Sequence, residues 1–114
     1  MDQTVVLEIR GRVTIGHDAQ LRDAIRQALD GGTRNVLLRM RYVTRLDSSG
    51  IGELVAAHTT VRRGGGRLLV AELPPKVAKV LQITNLLGVI ELYDHMDGAL
   101  AALGGDDRGA PLRS

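Results

Sequence analysis

Val36, Leu37 and Leu38 stand side by side in the segment 34–40, RNVLLRM. A strand points successive side chains to opposite faces, so three consecutive apolar residues fit a strand covered on both sides, at the centre of a sheet. Both covers have to come from the same chain. The flanking segments supply them, because the apolar spacing alternates between the period of a strand and that of a helix.

Upstream, residues 4–10 (TVVLEIR) alternate. Val5, Leu7 and Ile9 share one face, while Val6, Glu8 and Arg10 share the other. Gly11 reads as a turn, with Val13 and Ile15 on a second short strand, which predicts a hairpin. Over 17–30 the stripe Leu21, Ala24, Ile25, Ala28, Leu29 is helical, and Gly31-Gly32 ends it. A second stripe of Ile51, Leu54, Val55 and His58 runs up to Gly64-Gly65-Gly66, followed by strand 67–71 (RLLVA). Pro74-Pro75 opens a third helix with Val77, Val80, Leu81 and Thr84 on one face; 89–92 is a short last strand. Asp94 is placed to cap a final helix that turns Met96, Ala99, Leu100 and Leu103 inward.

The predicted order is β-β-α-β-α-β-α-β-α. The expected fold is therefore α/β, a single domain with a mixed, mostly parallel sheet of four to five strands and about four helices, joined by right-handed crossovers. The domain is expected to span 1–104, and 105–114, which shows no periodicity, to be a flexible tail.

Composition narrows the function. A formal charge of +2 is small for a nucleic-acid binder, and 2% aromatic residues offer no base-stacking platform, so direct nucleic-acid binding is not expected. The chain has no cysteine, which removes disulfides, thiolate chemistry and thiolate metal sites. No apolar run approaches membrane-spanning length, and the first residues do not form a secretory signal. A cytoplasmic protein without membrane attachment is the expectation.

The segment 45–58, RLDSSGIGELVAAH, departs from ordinary packing. It places an acid, two serines and two glycines where a helix begins. Asp47 or Ser48 can cap the free amides of the first turn. Two glycines in a short helix are costly, at roughly 1 kcal/mol each in an interior. Close helix–sheet packing at Gly50 is one reading; a turn before a later helix start is another. A third has Gly50 and Gly52 keeping the surface flat, so that another molecule approaches Ser49. Open α/β sheets form their sites at such strand-to-helix junctions.

Catalysis is not expected. A hydrolytic serine needs a base and an oxyanion hole, and the G-x-S-x-G elbow is absent because Asp47 occupies its first glycine position. His17, His58 and His95 are scattered. His58 falls on an apolar stripe as a packing residue, the other two at helix starts, and no metal-ligand spacing appears. Gly64-Gly65-Gly66 follows a helix, precedes a strand and lacks G-K-[ST], so it reads as a C-cap turn and not as a phosphate loop. No cofactor or metal is expected.

The stretch 43–93, containing VTRLDSSGIGELVAAH, RRGGGRLLVAEL and KVLQITNL, resembles the STAS-domain anti-sigma factor antagonists, and the leader GRVTIGHDAQLRDAI resembles their early G-x-[LV] turn and first helix. The resemblance covers nearly the whole chain, and D-S-S-G-[LI]-G is its specific motif. It implies a binding protein. The unphosphorylated antagonist binds an anti-sigma factor that is also a serine kinase, and so frees a sigma factor. The kinase phosphorylates the second serine of the motif, here Ser49 beside Ser48, and a serine phosphatase reverses this. The implied partner surface is Asp47, Ser48, Ser49, Gly50, Ile51 and Gly52.

Three positions depart from the family pattern: Thr14, Arg39 and His58. Arg39 is either an anchor for the phosphate, a determinant of partner choice, or a solvent-facing strand charge. Alternative duties for such a domain are a stressosome scaffold, a lipid-transport accessory or a phosphatase regulator. A small-ligand or nucleotide sensor in the strand-end crevice is the alternative of another class, though the dinucleotide glycine fingerprint is missing. Oligomeric state stays open.

Overall fold

The computed structural model describes residues 4–13, 19–83 and 90–105. The Val36-Leu37-Leu38 run lies in β2 (Asn35–Leu46), between β1 (Thr4–Val13) and β3 (Leu68–Ala71), with β4 (Glu91–Tyr93) beyond β3. All three of these pairings are parallel. Val36 and Leu38 enter one core cluster and Leu37 enters the other; all three are fully buried. The consecutive apolar run is thus a strand with covered faces on both sides, as its composition requires.

The larger cluster gathers Leu21 and Ile25 from α1 (Ala19–Asp30), Ile51, Leu54 and Val61 from α2 (Ser48–Arg63), and Val77 and Leu81 from α3 (Pro75–Ile83). The smaller cluster lies over the opposite face. There Ala99 of α4 (Met96–Leu100) and Leu103 of a following π-type turn (Ala101–Gly105) meet Leu37, Leu69 and Ala71. Helices therefore cover one face broadly, whereas α4 covers only part of the other.

The α/β class, the strand–helix alternation, and the four strands and four helices among the described residues agree with the expected fold. The hairpin at Gly11 does not form. Gly11 (φ 78°) lies inside β1, and residues on both its sides pair parallel to β2, with register shifts flanking it. The glycine accommodates a bulge instead of a reversal. β2 also runs six residues past Met40. Val43 and Leu46 return to the core at spacings of three, which the bulged register permits. In α4 the cap position is His95 and not Asp94, and Leu100 points outward with 40% of its surface exposed. Thr14, Ile15, His17, Thr84, Val89 and the segment 106–114 lie outside the described residues.

Two local features hold the ends of the sheet. At the start of β3, Gly66 sits against β2 so closely that a Cβ would lie 1.7 Å from the Arg34 carbonyl oxygen. At its end, Glu72 adopts φ 63°, left-handed for a side-chain-bearing residue, which costs roughly 1–3 kcal/mol. Its amide still donates to the Tyr93 carbonyl at 3.0 Å. Arg67 forks onto Glu91 (Nε to Oε2 3.0 Å, Nη2 to Oε1 2.5 Å) and donates Nη1 to the Ala102 carbonyl at 2.6 Å, tying β3, β4 and the π-type turn together.

Gly66→Ala has no room and is expected to destabilise the chain by about 1–3 kcal/mol or more, read as a lowered urea midpoint. The Arg67 hydrogen bonds hold the Glu91 carboxyl below the ordinary carboxylate range. An acid depressed in the folded state contributes stability above its unfolded pKa of about 4.3, and that contribution disappears as pH falls through the lower folded value. Glu91→Gln is therefore expected to be less stable than the parent at pH 7, with the gap narrowing below about pH 4. Urea titrations across that range measure it.

Candidate functional site

The junction between β2 and α2 is built around one backbone contact. Gly50, in the first turn of α2, lies against the end of β1: a Cβ there would stand 1.9 Å from the Val13 carbonyl oxygen and 2.8 Å from Leu46 Cδ1. The Val13 oxygen also accepts from the Asp47 amide at 3.4 Å. The first glycine is thus a packing glycine, and no side chain fits in its place.

Asp47 caps the helix. It is extended (φ −114°, ψ −174°), its Oδ1 accepts from the Gly50 amide at 3.0 Å, and its carbonyl accepts from the Ile51 amide at 2.9 Å. The helix therefore starts at Ser48, before the apolar stripe begins. Its first turn carries no acidic residue, and the Asp47 cap faces the positive end of the helix dipole.

The expected surface residues sort into two sets. Ser48 is exposed, Ser49 is half-buried, and Gly52 is exposed with no atom within 4 Å of where its Cβ would be. Gly50 and Ile51 are buried, and Ile51 belongs to the larger core. These two support the helix start from beneath. The flat, accessible part is Ser48, the outer side of Ser49, and Gly52.

Next to this end, Arg22 of α1 forks onto Glu53 of α2 (Nε to Oε1 3.2 Å, Nη2 to Oε2 2.6 Å). Beyond the fork the two helices enclose a groove of about 370 Å³ with Ile25, Leu29, Ala56 and Ala57 on its floor. Sequence spacing did not foresee this bridge, because its partners are 31 residues apart.

Arg39 is not at the junction. It lies seven residues before the end of β2, roughly 20 Å away at strand rise. It donates Nε to Glu72 at 2.8 Å and sits 3.6 Å from Glu8. A phosphate at Ser49 is beyond its reach, and Arg39 is a half-buried strand charge paired with two acids. His58 is half-buried on α2, and its Nδ1 is buried with no hydrogen-bond partner among the described residues. His95 is exposed at the α4 start. Among the described residues, no group of three or more His, Cys, Asp or Glu gathers as a metal site. None of the described helices is long and apolar enough to cross a membrane.

This crossover fold, with a capped, serine-bearing helix start packed on the first strand, defines a recognised domain class. Residues 1–99 match the STAS domain model, and the chain belongs to that family. Among curated relatives, the anti-sigma F factor antagonist of Paenibacillus polymyxa is 24% identical over 75% of this chain and 78% of its own length. Two solved structures share the fold. An anti-sigma factor antagonist from Mycobacterium paratuberculosis superposes with TM-score 0.78 (22% identity, 90% of this chain and 87% of that one). The Bacillus cell fate determinant SpoIIAA in its phosphorylated form superposes with TM-score 0.66 (22% identity, 90% and 92%).

The two glycines separate by substitution. Gly50→Ala collides with backbone and is expected to cost about 1–3 kcal/mol. Gly52→Ala meets open space and is expected to be neutral or to stabilise by up to about 1 kcal/mol. Asp47→Ala removes the cap, at about 1 kcal/mol. Chemical denaturation of the three variants gives the ranking, and equal losses at Gly50 and Gly52 would overturn the packing assignment.

Proposed function

We propose that this chain is an anti-sigma factor antagonist. It binds an anti-sigma factor that is also a serine kinase, thereby releases a sigma factor, and is switched off when that kinase phosphorylates Ser49. A serine phosphatase restores it, and the cycle runs in the cytoplasm. The chain acts by binding and not by catalysis. The observation that carries this reading is the helix start itself: two serines in an acid-free first turn, with Gly52 leaving the adjacent surface open. The Paenibacillus relative, named for anti-sigma F factor antagonism, supports it, as does the existence of SpoIIAA in a phosphorylated form.

The physics of the switch follows from the cap. A phosphate adds about 1.5 to 2 negative charges at neutral pH. The positive end of α2 tolerates that charge, a contribution of roughly 0.3–1 kcal/mol, against which the neighbouring Asp47 carboxylate works. The fold therefore changes little. The bound partner meets a desolvated dianion where it had met a serine hydroxyl, and an unmatched charge there costs several kcal/mol. Each 1.4 kcal/mol is about tenfold in affinity. The groove between α1 and α2 begins at Glu53, one turn further along the same helix, and offers apolar contact there.

Incubation with the cognate kinase followed by mass spectrometry is expected to place phosphate on Ser49; phosphate elsewhere than Ser48 or Ser49 would defeat the reading. By calorimetry, Ser49→Ala is expected to bind the kinase like the parent and Ser49→Glu at least about tenfold more weakly. Gly52→Ala should fold normally yet bind less tightly, because its methyl group stands on the docking side.

A further inference from the structure

Among the described residues, no helix covers the sheet face opposite α1 and α2 over β1 and the second half of β2. Alternation along β1 turns Val6, Glu8, Arg10 and Arg12 to this side, since Ile9 and Val13 lie in the core. From β2 and the end of β3, Arg39, Arg41, Tyr42 and Glu72 join them. The two acids are already engaged: Glu8 by Arg10 and Arg39, Glu72 by Arg39 and Arg41. Tyr42 is 43% exposed, with the Arg10 guanidinium 4.4 Å and that of Arg41 5.1 Å from its ring centre. Val6 is 45% exposed.

At the far end, Arg12 and Arg45 are register partners. Both are exposed, and neither makes an ion pair among the described residues. Like charges facing each other on adjacent strands oppose pairing. An anion between them turns that repulsion into a pair of charge-assisted hydrogen bonds.

We infer that this face is a docking surface for an acidic protein segment, one whose carboxylates lie between Arg12 and Arg45 and whose apolar side chains pack on Val6 and Tyr42. A second copy of this chain presented face to face would bring arginine against arginine. A uniform polyanion, such as a nucleic-acid backbone or an anionic membrane, would meet Glu8 and Glu72 in the middle of the patch. A patterned partner, acidic at the arginines and apolar between them, meets neither obstacle. This inference does not depend on Ser49, which lies at the helix start and not on the open face.

The test uses the full chain and a fluorescein-labelled peptide of Glu-Ala-Glu-Leu repeats, followed by anisotropy at near-physiological salt. The parent is expected to bind it and not to bind the same peptide with Gln in place of Glu. Arg12→Glu with Arg45→Glu is expected to weaken binding at least about tenfold, whereas Arg62→Glu with Arg63→Glu, an equal charge change on exposed residues at the end of α2, alters it less than about twofold. Arg12→Gln with Arg45→Gln should keep the melting temperature at or above the parent's and still weaken binding, so the result stands even if the glutamate pair fails to fold. No binding by the parent, equal loss in both charge-reversed pairs, or tighter binding to oligothymidylate or phosphatidylserine vesicles would overturn the inference.

Discussion

The carbonyl oxygen of Val13 fixes where the candidate site sits. It is the last residue of the first strand, and the first turn of α2 rests on it through a position where even a methyl group would collide. That contact sets the height of the helix start over the sheet. Asp47 then closes the turn by accepting from the Gly50 amide, so the glycine is held by steric fit on one side and a hydrogen bond on the other. Ser48 is exposed and Ser49 half-buried beside these pinned neighbours. A helix start held this way is a fixed platform, and such constancy is what the proposed charge-based switch needs.

The glycines at 50 and 52 look equivalent in sequence and do opposite things. One is required by the protein's own backbone; the other has open space around it. Of the readings open at the sequence level, close packing describes Gly50 and an open surface describes Gly52. No local pattern distinguishes them, because the deciding atom belongs to Val13, 37 positions earlier in the chain. Asp47 as a cap, by contrast, was legible, since capping depends only on a short polar side chain and amides three residues away.

The rest of the fold divides along the same line. Stripes at helical spacing and the Val36-Leu37-Leu38 run are local signals, and they locate α1, α2, α3 and the central strand correctly. The bulges are not local. Gly11 looks like a turn because glycine is permissive, yet both halves of β1 have partners on β2 and stay in one strand. The same irregular register spaces Met40, Val43 and Leu46 by threes, which hides the second half of β2 from a search for alternation. Leu100 misleads for a different reason: α4 lasts barely more than one turn before the π-type turn redirects it, so a helical stripe has no length over which to hold. The Arg39–Glu72 pair rests on a left-handed backbone at Glu72 that no propensity announces.

Among the described residues, β1 pairs on one side only, with β2. A ten-residue border strand offers unpaired amides and carbonyls to any other chain with a similar border, the usual beginning of sheet-to-sheet aggregation. The bulge at Gly11 bends that border out of register with a straight neighbour, and Glu8, Arg10 and Arg12 line it with charges that another copy would have to bury. What looks in the sequence like a broken hairpin therefore doubles as protection. The irregularity that carries the strand to its contact with α2 also gives its border a bent shape and a charged lining that a straight edge from another copy would match poorly.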